Sequence, residues 1–148
     1  MKITFLLFSL LLLYPWHTGN AQSGNASLVG TWNIRQVELR QTVDNGAPTL
    51  KVFNPGDDTS SSSTFVRLPV KITFAGSNVT FEYPNRKSAG TYRLQGNTLN
   101  IGFSTQMVDY TYILSEGNLR LSQTVEYVIN EGETVHRAKE EYTFYGQK

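Results

Sequence analysis

From residue 66 onward the chain alternates apolar and polar side chains with a period of two, in one short run after another. Val66, Leu68, Val70, Ile72 and Phe74 share one face, and Arg67, Pro69, Lys71 and Thr73 share the other. Successive side chains of an extended strand point to opposite faces, so this run predicts a half-buried β-strand. After Gly76-Ser77-Asn78 the phase restarts, with Val79, Phe81 and Tyr83 inward and Thr80 and Glu82 outward. The two runs predict a hairpin.

The design recurs downstream. Tyr92 and Leu94 lead through Gln95-Gly96-Asn97 to Leu99, Ile101 and Phe103, and Tyr110, Tyr112 and Leu114 lead through Glu116-Gly117-Asn118 to Leu119 and Leu121. Gly and Asn serve at these turns because both tolerate the positive φ that tight hairpins demand. Val125, Tyr127 and Ile129 then pass a turn near Asn130-Glu131-Gly132-Glu133 into Val135–Tyr145. With an opening strand around Thr31–Leu39, the chain reads as eight strands in sequence, nearly all joined by short turns. A meander of eight antiparallel strands removes its raw edges by closing on itself. The expected fold is therefore all-β, an eight-stranded antiparallel up-and-down barrel. A two-sheet sandwich needs several long crossings, and only one long connection is present.

That connection runs from Gln41 to Ser63, with turn formers at Asp44-Asn45-Gly46 and Asn54-Pro55-Gly56 and a polar tract at its end. Loops of this length inside a domain are functional or disordered. The apolar residues Leu50, Val52 and Phe53 point to packing of part of it at the barrel mouth, and the loop is the natural place for a protein partner.

The first 21 residues have the make-up of a signal peptide: Lys2, an apolar run Ile3–Leu13, and a polar stretch ending Gly19-Asn20-Ala21. The apolar run is about half of what a spanning helix needs. Export, to the periplasm or beyond the cell, is expected, with residues 22–148 as one domain. Removal of residues 1–21 leaves 127 residues and takes Lys2 away, so 12 cations face 12 anions. A neutral chain with dispersed cations lacks the clustered positive face that nucleic acid requires. The chain has no cysteine, which rules out disulfides, thiolate chemistry and acylation of an N-terminal cysteine as a lipid anchor.

Gly30-Thr31-Trp32, at the start of the first strand and preceded by Leu28-Val29, resembles the lipocalin signature. Together with eight strands and a single long first loop, the chain from residue 22 is similar to a small bacterial lipocalin-like domain. The resemblance implies that the indole of Trp32 plugs the closed end of the barrel. It also implies an arginine near the end of the barrel packed over that indole, for which Arg137 is the nearest candidate. Two family features are missing: the helix after the last strand, and the Thr-Asp-Tyr signature, since Asp109-Tyr110 begins a strand instead.

The inward phase carries Trp32, Phe74, Phe81, Tyr83, Tyr92, Phe103, Tyr110, Tyr112, Tyr127, Tyr142 and Phe144. Eight strands enclose room for packed side chains or for one small ligand, so these rings favour a small cavity. The buried tyrosine hydroxyls need partners, and polar tips around an apolar cup suit a small hydrophobic or amphipathic molecule. The ligand-binding candidates are Trp32, Tyr83, Tyr92, Tyr110, Tyr112, His136 and Tyr142. No metal-ligand spacing and no cofactor motif occurs. No nucleophile and base are placed by motif; His136 with Glu140 is the one titratable pair to consider. The expected function is non-catalytic binding, and the alternative is an interaction module built on a filled barrel.

Overall fold

A computed structural model describes residues 27–59 and 67–148. The predicted signal peptide, residues 22–26 and residues 60–66 lie outside the described residues. Nine strands are described: β1 (Gly30–Val43), β2 (Thr49–Phe53), β3 (Lys71–Ala75), β4 (Asn78–Tyr83), β5 (Arg86–Gln95), β6 (Thr98–Gly102), β7 (Met107–Ser115), β8 (Asn118–Glu131) and β9 (Thr134–Gln147). From β3 to β9 each strand pairs antiparallel with the next. β9 then pairs with β1, from Asn33↔Gln147 to Val43↔Ala138, and β1 pairs with β3. Eight strands thus form the closed meander barrel that the alternation predicts, and every barrel strand finds two neighbours.

Where the structure departs from the expected strands, local chemistry explains the difference. The second run opens at Lys71 and not near Val66, because Pro69 has no N–H to give a ladder and fixes its own φ. Leu68 is nevertheless fully buried. Leu119, Leu121, Val125, Tyr127 and Ile129 belong to one continuous 14-residue strand, β8. β1 is also longer than expected, and its pairing with β9 shifts register between Ile34 and Gln36. That bulge moves the buried positions from Trp32 and Ile34 to Val37 and Leu39, absorbing a one-residue break in the alternation.

The Gln41–Ser63 connection is partly strand. Thr42 and Val43 complete β1, the chain turns through Asp44 and Asn45 at φ of 49° and 59°, and β2 returns along β1 from Gln41↔Thr49 to Val37↔Phe53. β2 therefore occupies the edge of β1 beyond the point where β3 ends. Of the three apolar residues noted there, Phe53 packs against the core, while Leu50 and Val52 are exposed.

The core is the barrel interior. Trp32, Phe74, Phe81, Tyr142 and Phe144 are each at most 2% exposed, among Ile72, Leu99, Ile101 and Leu121. Each such side chain stabilises the fold by about 1.5–3 kcal/mol. Facing outward are Lys71, Arg93, Arg120, Lys139 and Glu141, together with the exposed apolar residues Ile113 and Val128.

One end is plugged. The Trp32 indole N–H donates to the Leu28 carbonyl at 2.8 Å, and the Lys148 ammonium lies 4.8 Å from the indole centre. Lys148 also donates to the Ser27 carbonyl, and its backbone N–H to the Gly117 carbonyl. The expected arginine does not cover the indole: Lys148 does, and Arg137 is exposed at the opposite end of β9, because ten residues of extended chain separate it from Gln147, the neighbour of β1 near Trp32.

Candidate functional site: the open mouth of the barrel

Among the described residues, the strand ladder is open at the opposite end. β7 and β8 pair from Ser115↔Asn118 only as far as Thr111↔Ser122. Beyond that point, among the described residues, Met107–Tyr110 pair with β6 alone and Gln123–Glu131 pair with β9 alone. The ring is closed near the plug and unzipped toward the mouth. A cavity of about 680 Å³ lies at this split, walled by Val108 and Tyr110 from β7, Gln123 and Val125 from β8, Phe81 and Tyr83 from β4, and Phe103 after β6.

The walls are built by alternation. Phe81 stands edge-on to Phe103 at 5.6 Å and lies 6.2 Å from Tyr110, so three rings form an apolar floor. Burial pushes the Tyr110 phenol far above its ordinary range, and neighbouring Tyr83 adds to the effect. Tyr83 is raised in the same way, partly offset by the positive charge of Arg86. Both phenols therefore act as neutral hydrogen-bonding groups. The Gln123 side chain is buried, and its Oε1 has no hydrogen-bond partner among the described residues. Arg67 and Arg86 also line the cavity, and the Arg86 guanidinium sits 4.7 Å above the Tyr83 ring.

A polar cluster lies on the β1–β9–β8 wall. Glu140 is fully buried and accepts from the Tyr127 hydroxyl at 2.9 Å, the Tyr142 hydroxyl at 3.1 Å and the Gln41 amide at 3.3 Å. A carboxyl at this depth is tolerable because hydrogen bonds surround it. His136, two inward positions earlier in β9, bonds a different acid: its Nδ1 meets Asp44 in the β1–β2 turn. Asp44 also accepts from the Arg137 N–H at 2.8 Å. His136 and Glu140 share a face but do not bond each other. Among the described residues no three His, Asp or Glu side chains gather as metal ligands.

Of the seven sequence-predicted site residues, Tyr83 and Tyr110 line the cavity. Tyr142 is fully buried and is the direct partner of Gln123 across the β8–β9 ladder. Trp32, Tyr92 and Tyr112 are grouped toward the plugged end: Tyr92 stands edge-on to Phe74 at 5.1 Å, and Tyr112 donates to the Gly96 carbonyl in a turn. His136 lies near the start of β9, bonded to Asp44, and is not part of the cavity lining. Sequence reasoning missed Gln123, Arg86 and Arg67. Counting in twos from Leu121 reaches Gln123, and counting back from Tyr92 reaches Gly90, Ser88 and Arg86. Arg67 precedes the strand and carries no such signal.

The fold and site together define a closed eight-stranded β-barrel with a plugged end and a cavity at its open mouth. No protein-family model, curated protein or solved structure matches the chain.

Proposed function

We propose that this is an exported, non-catalytic, lipocalin-like binding protein that holds a small hydrophobic or amphipathic molecule in the mouth cavity between β7 and β8. The cavity itself carries the reading. Small-molecule sites are concave and of roughly 300–1,000 Å³, which suits about 680 Å³ in which Phe81, Phe103 and Tyr110 stand among polar groups that include Arg67, Arg86, Ser88 and Gln123. The lipocalin likeness draws support from Gly30-Thr31-Trp32 with its indole under Lys148, and export from the make-up of residues 1–21.

Titration with the neutral fluorophore N-phenyl-1-naphthylamine tests the proposal. Saturable binding is expected, and Val125→Trp, which fills the split, should abolish it without unfolding the barrel. Absence of saturable binding, or equal binding by the Trp variant, would remove the proposal.

A second reading, an interaction module using the 41–63 connection, has one observation in its favour. Among the described residues β2 pairs with β1 alone, and it exposes Leu50 and Val52, at 56% and 60%. Capture from the source organism with the wild type and with a Leu50→Lys/Val52→Lys variant tests it. A partner held by the first and lost by the second supports this reading; identical capture sinks it.

A further inference from the structure

We infer that the molecule held in the mouth cavity is an amphipathic anion, its acidic group gripped at the lip by Arg67 and Arg86 and its apolar body among Phe81, Phe103 and Tyr110. The inference rests on the cavity being a binding site and deepens that reading by naming the class of ligand.

Two arginines line one cavity, and neither has a carboxylate partner among the described residues. The nearby acid Glu82 is engaged by Lys71 and by Lys87, at 3.9 Å and 3.2 Å. Asp109, the one carboxylate in the lining, accepts from the Asn100 amide. Asp58 bridges Arg67 through the main chain and forms no ion pair with it. The contrast within β5 is informative. Lys87 points outward to a carboxylate, whereas Arg86 is on the inward phase with Ser88 and Gly90 and stacks on Tyr83. Stacking holds the guanidinium plane in place and leaves its N–H fork for a planar oxyanion, the geometry arginine matches best.

Orientation follows from what lies beside the cavity wall, where Glu140 is the cross-strand partner of Val125. The hydroxyls of Tyr127 and Tyr142 and the amide of Gln41 already serve the Glu140 carboxyl. A second acid driven inward would compete for those donors beside a group of its own kind. With three rings as the floor and two arginines at the rim, the tail points in and the acid points out.

Isothermal titration calorimetry of the whole protein with decanoate, decanol and decylammonium, chains alike except for the head, tests this. Decanoate is expected to bind roughly tenfold more tightly than decanol, the advantage of a charge-assisted contact, and decylammonium more weakly than either. Added salt should weaken decanoate alone. Arg67→Gln with Arg86→Gln should bring decanoate down to the affinity of decanol and leave decanol unchanged. If decanol or decylammonium binds as tightly as decanoate, or the double variant is indifferent to the head group, the anion assignment falls and the cavity reading survives. If none of the three binds, or binding persists in Val125→Trp, the cavity is not the site and both readings fall.

Discussion

Lys148 and Trp32 meet at the plugged end, the ammonium nitrogen 4.8 Å from the indole centre, while the indole N–H is spent on the Leu28 carbonyl. One ring thus joins the stretch before β1 to the residue after β9, and Gly146 makes room for it: a Cβ there would come within 3.2 Å of the Trp32 Cβ.

Trp32→Phe keeps an aromatic plug but leaves the Leu28 carbonyl without its buried donor, a loss of about 1–3 kcal/mol. Lys148→Ala removes an exposed cation–π contact, about 0.5–1 kcal/mol. Urea unfolding should rank the two variants in that order; a Lys148 variant costing as much as Trp32→Phe would show that the plug works differently.

The buried Glu140 organises three donors, so Glu140→Ala leaves Tyr127, Tyr142 and Gln41 short of an acceptor, at about 1–3 kcal/mol for each donor that finds no substitute. Glu140→Gln keeps an acceptor oxygen and should cost clearly less. Tyr127→Phe in the Ala background should then cost less than in the wild type, because the two effects share one bond. Strict additivity in this cycle would mean the hydroxyl does not depend on the carboxyl.

The His136–Asp44 pair makes stability depend on pH. The hydrogen bond to Asp44, and then its charge, raise the His136 pKa above 6.5, so the folded state keeps the proton longer than the unfolded chain. That contribution is complete below 6.5 and declines as pH rises through the folded value. Bonds from His136 and from the Arg137 N–H lower Asp44 below 3.8, so its contribution is complete above 3.8 and is lost as pH falls through the folded value. Asp44→Asn is a clean probe, since Asn accepts the positive φ of 49°. The gap in Tm between wild type and this variant should be widest near pH 5 and should shrink by pH 9. A gap constant across that range would exclude the linkage.

Gly90 faces the interior where β5 leaves β6, and a Cβ there would fall 2.5 Å from the Gly102 carbonyl oxygen. Backbone cannot yield as a flexible side chain does. Gly90→Ala should destabilise the barrel by about 1–3 kcal/mol, whereas Gly76→Ala meets only the strain of a positive φ, with open space around it. Thermal melts giving the two variants equal losses would show that the strands adjust at Gly90.

Much of this fold is legible one residue at a time. The inward positions Ile72, Phe74, Val79, Phe81, Leu99, Ile101, Leu119 and Leu121 are all buried as their alternation predicts, and Gly76, Gly96, Gly117 and Gly132 sit at the hairpin turns with positive φ. The candidate site was less legible. Tyr83 and Tyr110 are readable from phase, whereas Tyr92 and Tyr112 have the same phase yet lie toward the plug. Alternation reports which side of a sheet a residue takes; it does not report its height along the barrel axis relative to a gap between strands.

The amino-acid sequence alone determined the strand faces, the turns and the need for closure, because period-two patterning and glycine's freedom act within a few residues of themselves. Only the tertiary structure decided that β2 would take over the edge of β1, that Lys148 and not Arg137 would cover Trp32, and that the β7–β8 ladder would stop at Thr111, leaving Arg67, Arg86 and Gln123 around a cavity. Those outcomes depend on which of several possible neighbours pairs across long stretches of chain, and that competition is settled by packing the whole interior at once.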